Sequence, residues 1–335
     1  MLDYPPRIPL AQLPTPLQPL RRLQQQIGGP LVWVKRDDMT GATLTGNKVR
    51  KLEFIFARAQ DEGYSAVITC GGIQSNHCRA TALAAAQLGF DCHLILRGVP
   101  TPGQPAQGNQ FLDELAGASL QYCEPRDYIA NLDTYFAQRA ADCRAEGKRA
   151  LAIPTGGSNG VGIWGYIAAT EELLADCALQ GIEPAAIVCA TGSGGTQAGL
   201  TVGTAATNPA VRVFGIAVCD DEAYFIDKIQ RDITEWRALY PQAGGLLDDR
   251  QIQVNVIDDY IGAGYGQAGK DVLDTIQLLA SLEGIVLDPV YTGKAFNGLL
   301  TEIQQGRFAG ENHIVFVHTG GIFGLMPYAG KFFAK

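Results

Sequence analysis

The sequence predicts an α/β protein with parallel sheets, on three observations. Short apolar runs bounded by glycine alternate with longer stretches of helical period, which is the pattern of βαβ units. Glycine-rich turns open three of the helical stretches. Of 335 residues 40 are glycine, or about 12% against a usual ~7%, with no three-residue period. With 47% hydrophobic and 18% charged residues the chain is neither collagen-like nor disordered, so its glycines serve folded turns. The length predicts two domains or one large α/β unit.

Taken in order, the Pro-rich opening Leu13-Pro14-Thr15-Pro16-Leu17 cannot propagate a helix and is expected to lie extended. A helix follows at Lys48–Glu62, then a strand at Ala66–Thr69 and an Ala-rich helix at Asn76–Leu88. Strands are expected at His93–Leu96 and Ala150–Ile153, and a helix at Gly162–Leu179. The strand Ala186–Cys189, the helix Thr196–Ala206 and the strand Val211–Ala217 repeat the alternation. Helices at Gly266–Glu283 and Gly293–Gln305 precede a last strand, Ile314–His318.

The 34 acidic and 26 basic side chains give a net charge of −8 without a Lys/Arg block, which argues against a nucleic-acid partner. The N-terminus lacks a basic region followed by an apolar stretch, and no segment offers about 18 uninterrupted apolar residues. A soluble, cytoplasmic protein without a membrane partner is expected. The 8 cysteines include no C-x-x-C pair and are expected as reduced core residues, and the 4 histidines have no zinc-ligand spacing, so no metal is expected.

The first turn, Gly41-Ala42-Thr43-Leu44-Thr45-Gly46-Asn47-Lys48, resembles a P-loop until Asn47 and Val49 break it. It leaves Lys48 in the first turn of a helix, where the dipole disfavours a charged amine. A solvated helix-end lysine fits the same residues. In Gly71-Gly72-Ile73-Gln74-Ser75-Asn76-His77, either Ser75 or Asn76 suits an N-cap, and the free amides there suit a carboxylate. The third turn, Thr191-Gly192-Ser193-Gly194-Gly195-Thr196, joins strand to helix as a phosphate cradle does. Gln197 stands where a dinucleotide fingerprint needs glycine, so a monophosphate cofactor fits better. A separate pattern, Gly156-Gly157-Ser158-Asn159-Gly160, matches the nucleophile elbow of a serine hydrolase, with Asp220 or Asp288 and His318 following in the required order.

Together, Gly46-Asn47-Lys48-Val49-Arg50-Lys51-Leu52-Glu53, Gly72-Ile73-Gln74-Ser75-Asn76-His77, Thr191–Gly199, Leu287-Asp288-Pro289-Val290-Tyr291-Thr292-Gly293-Lys294 and His318-Thr319-Gly320-Gly321 resemble one family. It is the D-cysteine desulfhydrase and 1-aminocyclopropane-1-carboxylate (ACC) deaminase family of pyridoxal phosphate enzymes. The resemblance implies fold type II, tryptophan synthase β-like, with two parallel-sheet domains and pyridoxal 5'-phosphate in the cleft between them. Residues 1–50 and 164–335 would form the large domain and 51–163 the small one, in a homodimer.

By motif, the resemblance makes Lys48 the Schiff-base lysine that also moves the substrate α-proton. It gives Asn76 the cofactor hydroxyl, and Ser75 the substrate carboxylate with Asn76, His77 and Gly157 close by. The phosphate falls to Gly192, Ser193, Gly194, Gly195 and Thr196. Tyr265 and Tyr291 match the two active-site tyrosines, and Thr292 and Thr319 are two candidates for the pyridine nitrogen. ACC deaminases carry Glu where this chain has Thr292, and a hydroxyl makes the ring a weaker electron sink. That favours a substrate with a good leaving group, an amino acid such as D-cysteine, split into pyruvate, ammonia and hydrogen sulfide. Departures from the commoner family form at Leu44-Thr45-Gly46, Cys78 and Phe296 are expected to line or approach the site. They leave ACC, L-cysteate and β-chloroalanine open as alternative substrates.

Overall fold

In the computed structural model, which describes residues 2–247 and 252–332, the strands divide between two sheets. The chain runs β1 (Leu17–Pro19), α1 (Arg21–Ile27), β2 (Leu31–Lys35), α2 (Asn47–Asp61), β3 (Ala66–Gly72), α3 (Asn76–Leu88), β4 (Asp91–Arg97), α4 (Gly108–Leu115), β5 (Ser119–Cys123) and α5 (Pro125–Ala145). It continues with β6 (Ala150–Ala152), α6 (Trp164–Leu179), β7 (Ala186–Thr191), α7 (Gly195–Thr207), β8 (Arg212–Ala217), α8 (Glu222–Leu239), α9 (Pro241–Gly244), β9 (Asn255–Ile257), α10 (Lys270–Glu283), α11 (Thr292–Gln304) and β10 (His313–Val317).

One sheet has six strands in the order β1-β2-β10-β7-β8-β9, and the other four in the order β5-β4-β3-β6. Every pairing is parallel except that of β1 with β2 at the edge. β7 is buried at all six positions, as a parallel strand covered on both faces must be. Apolar clusters cover both faces of the larger sheet, Leu299, Phe296 and Leu279 on one side and Tyr166, Leu173 and Leu200 on the other. The predicted elements are present, with Asn76–Leu88 matching to the residue. The sequence reading had not placed β1, β2, β5, β9, α1, α4, α5, α8 or α9.

Helix α2 is anchored from behind by buried charge. Arg50 meets Asp37 at 2.8 Å and Glu172 at 2.9 Å, and the Tyr166 hydroxyl donates to Asp37 at 2.5 Å. Burial alone would raise the Glu172 carboxyl, but hydrogen bonds and charge from Arg50 and Lys35 bring it down to about 2. Removing one partner of such a buried pair strands the other, at about 3–5 kcal/mol. The network therefore fixes the helix that carries Lys48.

Candidate active site

The C-terminal ends of β3, β4 and β7, with the segment after β10, open on one cavity of about 400 Å³ between the two sheets. A cleft at the carboxyl ends of parallel strands is where α/β folds bind ligands.

Lys48 enters from the first turn of α2. The helix starts there because Gly46, at φ +94°, turns the chain against the segment after β10, where a Cβ would lie 2.9 Å from the Thr319 carbonyl. The Asn47 amide donates to that carbonyl at 3.0 Å, and Asn47 Nδ2 donates to Thr196 Oγ1 at 2.9 Å. Lys48 Nζ has neither a hydrogen bond nor an ion pair among the described residues. Burial lowers its pKa to about 8. The direction is the expected one, but its cause is lost hydration, where the sequence had suggested the helix dipole.

Ser75 caps α3, accepting from the Cys78 amide at 3.2 Å. Gly71 makes room, since a Cβ there would lie 2.5 Å from Ser75 Oγ. Asn76 accepts from Asn109 through Oδ1 at 2.9 Å, which leaves its Nδ2 to donate into the cavity. His77 is buried and lines the same wall. Thr69 Oγ1 donates to the Ile153 carbonyl, so His77 Nε2, 2.8 Å from that hydroxyl, carries the ring proton. His77 Nδ1 is then a buried acceptor without a partner, and burial holds the ring pKa well below its ordinary value. Gly157 packs on His77 and Ile55, and it is Gly156, one residue earlier, that reaches the cavity.

Across the cavity, Gly194, φ +82°, is the N-cap of α7, and Gly192, Ser193, Gly194 and Thr196 are on the cavity wall. The free amides of a 13-residue helix face the space there. Gly195, expected among the phosphate ligands, instead donates its amide to Ser158 Oγ at 3.1 Å. Lys51 Nζ donates to the same hydroxyl at 3.1 Å, and Ser193 Oγ lies 2.9 Å from it. Ser158 thus has no histidine partner. His318 is engaged with the Val286 carbonyl and the Gly320 amide, so the hydrolase arrangement is not formed.

Tyr265 and Tyr291 meet hydroxyl to hydroxyl at 2.6 Å on the cavity wall. Burial pushes Tyr265 up to about 12 and holds Tyr291 well above its ordinary value, so both keep their protons at neutral pH. Thr319 lines the cavity, but Thr292 does not. The Thr292 hydroxyl is buried, donating to Asp288 Oδ1 at 2.7 Å and accepting from the Asp288 amide at 2.8 Å, within the turn that starts α11. Cys78 and Phe296, expected at or near the site, lie outside it: Cys78 is buried behind Gly71, and Phe296 packs on Phe316 in the core at 5.0 Å.

The sequence reading missed Arg97, Tyr128, Thr155, Cys219, Tyr224 and Lys228 on the cavity wall, and had Asp220 only as a hydrolase acid. Arg97 and the Cys219-Asp220 pair follow recognisable strands, and position at the carboxyl end of a parallel strand was the available signal.

A partnerless amine and a cradle of helix-start amides converge on this cavity. A model of pyridoxal-phosphate dependent enzymes matches residues 8–320. The chain belongs to that family. It is 39% identical over 326 residues to a D-cysteine desulfhydrase of Klebsiella pneumoniae (strain 342), 96% of each chain being covered, and likewise 39% identical over 326 residues, 96% of each, to one of Salmonella choleraesuis (strain SC-B67). The crystal structure of an ACC deaminase homologue superposes with a TM-score of 0.87 at 36% identity, covering 98% of this chain and 95% of that one. An O-ureido-L-serine synthase, at 18% identity and a TM-score of 0.67 over 96% and 93% of the two chains, shares the fold alone. The resemblance read from the motifs is thereby borne out, as are fold type II and pyridoxal phosphate dependence. The residues present suit the cofactor. Gly156 has φ +68° and a Cβ there would lie 2.3 Å from Ser193 Oγ and 3.2 Å from Lys48 Nζ, so the wall beside the amine must be bare backbone.

Proposed function

We propose that this chain is a D-cysteine desulfhydrase, cleaving D-cysteine with water to pyruvate, ammonia and hydrogen sulfide. The observation that carries the reading is Lys48: an amine without a partner, biased toward its neutral form, at the centre of a cavity closed by hydroxyls and backbone amides. The two desulfhydrase relatives, matched over nearly the whole chain, support the substrate.

When bound, pyridoxal phosphate supplies an aldehyde carbon for an amine and a ring that withdraws the electron pair left at the α-carbon. Lys48 Nζ holds the cofactor and moves the α-proton, both of which require the neutral amine. Gly192, Ser193, Gly194 and Thr196 hold the phosphate through the start of α7. Asn76 Nδ2 donates to the ring hydroxyl, and Ser75 with the start of α3 orients the substrate carboxylate. Thr319 is the hydroxyl for the ring nitrogen, since Thr292 is engaged with Asp288. The Tyr265–Tyr291 pair keeps a proton available in the cavity. Residues 51–163 form a small domain and 1–50 with 164–335 a large one, and the enzyme works as a cytoplasmic homodimer. No helix among the described residues is long and apolar enough to cross a membrane.

ACC deamination is the second reading, favoured by the likeness to the ACC deaminase homologue. A hydroxyl at the ring nitrogen gives a weaker sink than a carboxylate, which suits thiol expulsion better than ring opening. Assays for sulfide and pyruvate from D-cysteine, and for 2-oxobutyrate from ACC, decide between them. Sulfide with little 2-oxobutyrate is expected; the reverse rejects the desulfhydrase assignment.

A further inference from the structure

At the end of β4, Arg97 stands opposite Gly72 in the β3–β4 ladder and lines the cavity. Its guanidinium carbon lies 4.8 Å from the centre of the Tyr265 ring and 5.8 Å from that of Tyr128. Both are within cation–π range, so the rings hold the charge in place without neutralising it. Arg36, Arg50 and Arg58 each have a carboxylate within 2.8 Å, whereas Arg97 has no acid partner among the described residues.

The other cations on the wall are assigned. Lys48 holds the cofactor, and Lys228, beside the α7 start, is bound to Asp232 at 2.5 Å and to the Ser158 carbonyl at 3.2 Å. With the substrate carboxylate at the start of α3, Arg97 is the cation left over for charge that develops during reaction.

We propose that Arg97 receives the negative charge of the group expelled from the substrate's β-carbon. The inference rests on the β-elimination proposed above and gives its leaving group a residue. In the bond-breaking step the α-proton goes to Lys48 Nζ, and the α-C–H electron pair becomes the second bond between α- and β-carbons. The β-C–S bond breaks, and its pair departs on sulfur as HS⁻. Protonation then gives hydrogen sulfide, while water releases pyruvate and ammonia. A permanently charged guanidinium suits a developing anion. It matters more for a basic leaving group such as HS⁻ than for chloride, which departs unaided.

The test compares wild type, Arg97→Gln and Arg97→Lys on β-chloro-D-alanine, O-acetyl-D-serine and D-cysteine. For Arg97→Gln the loss of kcat/KM should grow with leaving-group basicity, from under about threefold with chloride to roughly 100-fold with thiol. Arg97→Lys should recover part of it. Equal losses on all three substrates, or none, overturn the proposal. Independently of turnover, calorimetry on the holoenzyme should show D-aspartate binding more tightly than D-asparagine, with the preference lost in Arg97→Gln; a retained preference also overturns it. An unchanged visible cofactor band shows an intact site, and if Arg97→Gln fails to fold, the same gradient in Arg97→Lys decides. If wild type yields pyruvate from the chloride and acetate substrates but no sulfide from D-cysteine, the desulfhydrase reading fails alone, and the chloride–acetate contrast still judges Arg97.

Discussion

The two walls of the cavity are built on different principles. On the side of the larger sheet the groups are tied to one another: Asn47 to Thr196, Gly46 and Asn47 against Thr319, and Ser158 to Ser193, Gly195 and Lys51. On the side of the smaller sheet, Asn76 Nδ2 has no hydrogen-bond partner and Arg97 no acid partner among the described residues, only the rings of Tyr265 and Tyr128. A closed network suits a ligand present in every turnover. Unpaired groups suit one that changes during it. The larger-sheet wall is accordingly assigned to the cofactor phosphate, and the smaller-sheet wall to the reacting amino acid, with Asn76 reaching across to the cofactor ring hydroxyl.

Substitutions sharpen this contrast. Lys48→Ala has the largest expected effect, since losing the proton transfer alone costs about 10²–10⁴-fold in kcat and the covalent hold on the cofactor goes with it. Steady-state pyruvate release and the visible cofactor band measure both; undiminished turnover would overturn the assignment of Lys48. Tyr291→Phe breaks the phenol pair and should lower kcat by about 10²-fold while leaving cofactor affinity in place. A loss confined to affinity would make Tyr291 a residue that only holds the cofactor.

The paired threonines give a graded test. Thr292→Val removes two buried hydrogen bonds to Asp288 and should cost about 1–3 kcal/mol of stability in denaturant titration, with little change in the cofactor spectrum. Thr319→Val should do the opposite. Exchange of the two outcomes would restore Thr292 to the site. Ser75→Ala should cost about 1 kcal/mol through the lost cap and raise KM, and an unchanged KM would leave Ser75 a cap only.

The smallest effect is one of pH. Lys48 is charged below about 8 and neutral above it, so its neutral fraction rises with pH through about 8. Cofactor capture by the freed protein, followed by its visible band, should therefore speed up toward pH 8.5 or so and then level off. Continued acceleration to about 10.5 would mean an amine at its ordinary value.

Much of this was legible in the residues, and the failures have physical causes. Strands buried on both faces and glycine turns leave local marks, so β3, β7 and β10 were found along with the α3 and α7 starts. Helix α5 buries only Tyr128 and Cys143 of its 21 residues, so it carries little periodic signal. The three-residue strands β1 and β9 are too short to show alternation. Thr292 is expected at the ring nitrogen because ACC deaminases carry Glu at that position; the turn that caps α11 on Asp288 faces it inward instead. The Arg97 environment is tertiary, with Tyr265 and Tyr128 arriving from distant segments, and no spacing announces it.

The stitching behind Lys48 also bears on how the protein is made. Asn47 and Thr196 are 149 residues apart, and the Thr319 carbonyl that receives the Asn47 amide follows β10, which inserts between β2 and β7. Contacts of such long sequence separation form late in folding. A chain emerging from the ribosome therefore lacks the backing of its lysine until nearly all of it has been synthesised, and the cofactor is captured by a finished protein.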